Sequence, residues 1–251
     1  APNLTTYEDN GLYFRNAPSD VLQGAVLAGK AIDAGIANMA TIARQDPYGE
    51  GLAAAVVKDF TAAGGNITSA LLYDPAAPSF EAEVAEIVAG APEAVVVVGF
   101  DESTKLIQEM IKQGAGPDKI QLYLVDGNAS TTAFAEFPAG TMTGTVATFP
   151  SGSVDVTTFN DRMLAFDPSL TDFLYGPQSF DATMLIALAA HQAGCADGTS
   201  IAANLISVAG DGGEECTTYA DCVALIDAGT AIDYMGVNGG SDFNQYGDLL
   251  E

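Results

Sequence analysis

The sequence predicts an α/β protein organised on a parallel sheet, because apolar runs of strand length alternate with longer segments of helical period. The alternation holds as far as Pro150, after which helical patterns continue almost without strands. Met39 to Ala43, Ile67 to Tyr73, Ala94 to Val98, Gln121 to Val125 and Thr143 to Thr148 read as strands. Between them, Leu52, Ala53, Val56, Val57 and Phe60 form one apolar stripe, Phe80, Val84, Ile87 and Val88 the next, and Leu106, Ile107, Met110 and Ile111 a third. Ser79, preceded by Pro78, is the expected N-cap of the second of these helices, and Gly64-Gly65, Gly90 and Gly114 are expected helix stops.

Beyond Pro150, residues 158–166, 175–193, 199–208 and 218–228 read as helices. The face carrying Met184, Leu185, Leu188 and Ala189 is broad and apolar and must be covered, yet the strands of the first half are already served by their own helices. The expectation is a second sheet encoded upstream of Ala1. No internal repeat, low-complexity segment or long linker interrupts the chain.

Composition narrows the function classes. Of the 251 residues 48% are apolar, but no run approaches the roughly 18 to 20 that a membrane span requires. The N-terminal Ala-Pro-Asn-Leu-Thr-Thr-Tyr-Glu-Asp is polar and lacks the basic-then-apolar order of a signal peptide, so a targeting segment is expected to have been removed or to lie upstream. Eight Lys and Arg stand against 33 Asp and Glu, a net charge of −25. Nucleic acid and anionic lipid, which are bound through clusters of Lys and Arg, are therefore poor partners.

Cys216 and Cys222 are close in sequence at the start of a helical segment, fit no zinc-ligand spacing, and are expected to be bridged in an exported protein; Cys195 is left over. The single histidine, His191, lies in an Ala-rich helix. No Gly-x-Ser-x-Gly elbow, Walker loop, dinucleotide fingerprint or His-Glu-x-x-His occurs. An enzyme is disfavoured, with no catalytic residue, no metal site and no cofactor expected.

Four local patterns follow in one order: Tyr13-Phe14-Arg15-Asn16-Ala17-Pro18-Ser19-Asp20, Asp46-Pro47-Tyr48-Gly49-Glu50-Gly51, Tyr175 through Phe180-Asp181-Ala182, and Ile232-Asp233-Tyr234-Met235-Gly236 with Asp242-Phe243. Together they resemble the type I periplasmic binding proteins of the leucine/isoleucine/valine-binding kind, the substrate-binding components of ABC transporters. The resemblance implies two Rossmann-like lobes with parallel sheets, the first incomplete because its N-terminal part and the last strand are missing. It implies an inter-lobe entry at 1–19, a second α/β lobe at 20–149, a helical return completing the first lobe at 150–234, and a tail at 235–251 crossing toward the second lobe. It also implies a small amino-acid-like ligand, such as a branched-chain amino acid, a permease partner, and a place outside the cytoplasm, periplasmic or as a cell-surface lipoprotein. A sensory ectodomain, or a receptor for a different solute such as an aromatic acid, uses the same fold.

In open parallel sheets ligands bind at the C-terminal ends of the strands. Tyr48 follows the first strand, Gly99-Phe100-Asp101 the third and Asp126 the fourth. An aromatic wall, a helix N-terminus at Gly49 for a carboxylate and Asp126 for an ammonium suit a zwitterion. By resemblance Tyr48 is the ligand-contacting tyrosine, Asp126 the acid that meets the amino group, Phe100 or Asp101 a further packing residue, and Tyr175 an aromatic at the hinge. Each has a plainer alternative: Tyr48 packed on its own helix, Asp126 in an Asx-turn with Gly127 and Asn128, Phe100 in the core, Tyr175 in helix packing, and Asp101 as an N-cap.

Overall fold

The structure, a computed structural model, describes residues 2–150, 155–210 and 212–250. It divides into two compact units, one built from Ser19–Phe149 and the other from Asn3–Pro18 with Pro150 onward.

The first unit is doubly wound. Helix α1 (Asp20–Asp33) leads into β1 (Asn38–Arg44), α2 (Pro47–Ala62), β2 (Asn66–Tyr73), α3 (Glu81–Gly90), β3 (Ala94–Val98), α4 (Ser103–Lys112), β4 (Gln121–Leu124), the short α5 (Thr131–Phe134) and β5 (Val146–Ala147). All pairings are parallel, in the order β2-β1-β3-β4-β5. The two-residue side-chain period of the strands sorts their residues between two cores. Met39, Ala43, Val96 and Val98 face α1 and α2 with Leu27, Val56 and Phe60, whereas Ala40, Ile42, Val95 and Val97 face α3 and α4 with Val84, Ile87, Leu106 and Met110.

Three local features depart from the sequence reading. The stripe from Leu52 is the interior of a helix that begins at Pro47, where proline suits the first turn and the Asp46 side chain accepts the Gly49 N–H at 2.8 Å. Helix α3 begins at Glu81 with Phe80 in the N-cap position; Ser79 Oγ accepts the Glu81 N–H at 3.3 Å from one residue further out. Of the strand expected over 143–148 only Val146 and Ala147 pair, because Gly144, at φ +88°, sits in a turn closed by the Thr143 N–H to Gly140 O and Thr145 N–H to Met142 O bonds.

The second unit contains α6 (Thr157–Phe166), α7 (Gly176–Ala193), α8 (Gly198–Ala209), β6 (Glu214–Cys216), α9 (Tyr219–Asp227) and β7 (Ile232–Tyr234). The parallel pair β6-β7 is a small sheet that the sequence does not advertise, since each strand has three residues and β6 reads Glu-Glu-Cys. Leu185, Leu188 and Ala189 of α7 find cover from Leu205 and Val208 of α8, Ile232 and Tyr234 of β7, and Phe243. Residues 3–18 and 235 onward are grouped with this unit. Arg15 pairs with Asp248 at 2.7 Å, and Phe243 packs edge-on to Phe14 at 5.6 Å.

Asp181 on α7, fully buried, ties this unit together. Its carboxylate accepts the Tyr234 hydroxyl at 3.0 Å, the Val237 N–H at 2.9 Å and the Asn238 N–H at 2.8 Å. A Cβ at Gly236 would lie 2.5 Å from the same carboxylate, so the chain passes there only without a side chain. The Cys216–Cys222 bridge is present, with Cα atoms 5.3 Å apart, and joins the end of β6 to the first turn of α9. Cys195 is exposed, its Sγ 2.9 Å from Asp197 Oδ2. Among the described residues no helix is long and apolar enough to cross a membrane, and no group of three His, Cys, Asp or Glu side chains is placed to hold a metal ion.

Two outcomes follow. Asp181→Ala strands one buried and two partly buried donors and should cost about 3 kcal/mol of stability, read as a lower urea midpoint. Thiol labelling of the unfolded chain without reductant should modify Cys195 alone, and all three cysteines after reduction.

Candidate functional site

In a sheet ordered β2-β1-β3-β4-β5 the chain leaves β1 toward one edge and leaves β3 toward the other, so the loops after β1 and β3 diverge and open a crevice between them. The residues after these two strands are the ones the first unit brings together. Tyr48, second residue of α2 and half-buried against the α1/α2 core, stacks on Phe100 with ring centroids 5.3 Å apart and planes at 14°. Phe100, in the turn between β3 and α4, is 43% exposed, an outward face rather than a core ring.

Asp126 lies one strand further along. Gln23 of α1 donates through Nε2 to Asp126 Oδ1 at 2.6 Å and to Thr148 Oγ1 at 2.9 Å, fixing the carboxylate with a neutral partner. The loop that carries it presses on the Phe100 turn: a Cβ at Gly127 would lie 2.6 Å from Gly99 O and 2.8 Å from Phe100 Cδ1. The backbone next to Asp126 therefore abuts the Phe100 turn. Asn128 holds that loop down, since its side chain accepts the Val125 N–H and donates to Val97 O, each at 3.0 Å.

Asp101 is exposed in the turn, and the adjacent Glu102 is the acid that turns inward. The Gly49 N–H, expected to serve a ligand carboxylate, is taken by Asp46. Tyr175 belongs to the second unit, where it precedes α7 at φ +60° and is 40% exposed.

The sequence reading missed the polar layer beside the rings. Arg44, last residue of β1, pairs with Asp46 at 2.5 Å and Glu102 at 2.9 Å, and its guanidinium carbon lies 4.4 Å from the Phe100 centroid. Burial works against the Arg44 charge, but the hydrogen bond to Asp46 and the fields of Glu102 and Asp46 outweigh it and hold its pKa up. Burial likewise opposes the Asp46 charge; hydrogen bonds from the Gly49 N–H and from Arg44 prevail and keep that carboxyl below its ordinary value. A sequence signal for Arg44 existed: it is one of only eight cationic residues and ends a strand whose other positions are neutral.

Comparisons with known proteins agree with this fold. The periplasmic binding protein family matches residues 3–218. Among solved structures, the leucine binding protein LivK of Thermotoga maritima is 18% identical, with a TM-score of 0.77 over all of this chain and 65% of its own. LivJ of Streptococcus pneumoniae, solved with isoleucine, is 16% identical with a TM-score of 0.71 over 95% of this chain and 62% of its own. A substrate-binding protein of Desulfitobacterium hafniense, solved with Leu, is 19% identical with a TM-score of 0.69 over all of this chain and 65% of its own. Among curated sequences, the uncharacterized protein MJ1266 of Methanocaldococcus jannaschii is 30% identical over 110 residues, 42% of this chain and 26% of that protein. The chain thus spans less than two thirds of the length of each of these relatives. With the family matched over most of its residues and its fold shared across the whole chain, this protein belongs to the periplasmic binding protein family.

Proposed function

We propose that this protein recognises a small amino-acid-like solute outside the cytoplasm and delivers it to the permease of an ABC transporter. The observation that carries the reading is the placement of the Tyr48–Phe100 stack and of Asp126 at the C-terminal ends of β1, β3 and β4, with the backbone at Gly127 against the Phe100 turn. An apolar side chain can pack against the exposed part of the Phe100 ring, and an ammonium group can meet the Asp126 carboxylate, which the neutral Gln23 amide orients. Relatives solved with isoleucine and with Leu support the same class of ligand. The buried Cys216–Cys222 bridge supports an oxidising compartment. These side chains are equipped to bind and orient a solute, and a receptor rather than an enzyme is the reading they favour.

A thermal-shift screen of amino acids, aromatic acids and polyamines identifies the solute class, since a ligand that binds only the folded state raises the melting temperature by mass action. The expected outcome is a rise with L-leucine or a close analogue. For that ligand Asp126→Ala should weaken binding by about 2 to 5 kcal/mol in calorimetry, the cost of a buried ammonium losing its charged partner. Undiminished affinity in that variant would remove amino acids from the candidates.

A further inference from the structure

At the C-terminal ends of β1, β2 and β3, three donors converge on a single carboxylate oxygen. Glu102 Oε1 accepts from Arg44 Nη1 at 2.9 Å, from the Tyr73 hydroxyl at 3.0 Å and from the Phe100 backbone N–H at 3.2 Å. Tyr73, 1% exposed, also lies 3.3 Å from Val98 O. Burial first, and the Glu102 charge second, push the Tyr73 hydroxyl far above the usual phenol range, so it remains a donor at any working pH. The cluster has no slack: a Cβ at Gly99 would lie 2.0 Å from the Tyr73 hydroxyl oxygen and 3.3 Å from Glu102 Oε1.

Glu102 precedes α4 in the N-cap position, yet its side chain makes no capping hydrogen bond. It turns instead toward donors supplied by β1, by β2 and by the turn after β3. Glu102, its side chain 18% exposed, is partly withdrawn from water, a cost that its pairing offsets, so its energy depends on the spacing of those three chain segments. Arg44, held by Glu102 and Asp46 together, lies against the Phe100 ring that the same carboxylate holds by its backbone N–H. The most exposed side chain in this assembly is the Phe100 ring.

We propose that Glu102 is a positioning residue for ligand recognition, setting the Phe100 ring against Tyr48 through Arg44, Tyr73 and the Phe100 amide. The proposal rests on the reading of Tyr48 and Phe100 as the wall that meets the ligand. Affinity is then decided partly by a side chain that does not touch the solute, because a wall held in place before binding has less disorder to lose on binding.

The chain contains no tryptophan, so Phe100→Trp in the whole protein supplies a single fluorescent reporter at the wall. In that background Glu102→Ala should lower the anisotropy of the reporter and raise its quenching by acrylamide. Glu102→Gln, which keeps an acceptor oxygen in place, should do so less. Tyr73→Phe, which removes one donor and opens no cavity, should also loosen the reporter and decides the matter if Glu102→Ala does not fold. A lower melting temperature with the reporter unchanged would mark Glu102 as merely structural and overturn the proposal. With Phe100 retained, calorimetric titration with L-leucine and L-isoleucine should show binding about tenfold weaker in Glu102→Ala and less affected in Glu102→Gln. Equal affinity in Glu102→Ala and the parent would also overturn it. Should the parent take up neither amino acid, the assignment of the ligand fails, and the reporter alone decides whether Glu102 positions the wall.

Discussion

The first unit depends on the burial of β3. Ala94–Val98 pairs with β1 on one side and β4 on the other, and all five of its residues are out of water. Burying a valine is worth roughly 1.5–3 kcal/mol, and the four in succession fill both cores with alternate side chains. Once β3 lies between β1 and β4, the chain must leave β1 and β3 in opposite directions. The crevice at their ends, and with it the meeting of Tyr48 and Phe100, follows from the position of this strand.

Each unit is tied by one withdrawn carboxylate that receives several donors. In the first unit Glu102 links the strand ends beside the aromatic pair; in the second Asp181 links α7 to the segment after β7. Asp181 receives two backbone N–H groups and Glu102 one, each beside a tyrosine hydroxyl, which offsets the cost of drawing an acid away from water. The exposed pairs of Lys112 with Glu81 and Glu109 contribute far less, since solvent screens them. In a chain with 33 acids and eight cations, most carboxylates can only be solvated, and the few turned inward mark where the structure is tied.

Cations are used with similar economy. Arg44 and Arg15 both sit in partly buried ion pairs, one beside the candidate site and one joining the entry segment to Asp248. Neither rests on a single bond: Arg44 is shared between Asp46 and Glu102, and Arg15 also reaches Thr5 Oγ1 at 2.9 Å. A guanidinium suits both places because its planar fork can hold two acceptors at once.

Much of the fold was legible in short stretches of sequence. The all-apolar run Ala94–Val98, the stripe from Leu52 to Phe60 and the order of the four local patterns identify the strands, helices and family because burial periodicity is a property of neighbouring residues. The strand lost at Thr143–Thr145 and the pair β6-β7 were not legible: one is overridden by a turn at Gly144, and the other has three-residue strands whose partners are distant in sequence. At the site, Tyr48, Phe100, Asp101 and Asp126 are legible from their places after strands, whereas the parts of Glu102, Arg44, Tyr73 and Gln23 are not, because their partners come from other segments. Sequence by itself determined which residues stand at strand ends, because that depends on local pattern. Only the tertiary structure decided which strand ends meet and which acid turns inward, because those outcomes depend on strand order and on donors brought from segments tens of residues apart.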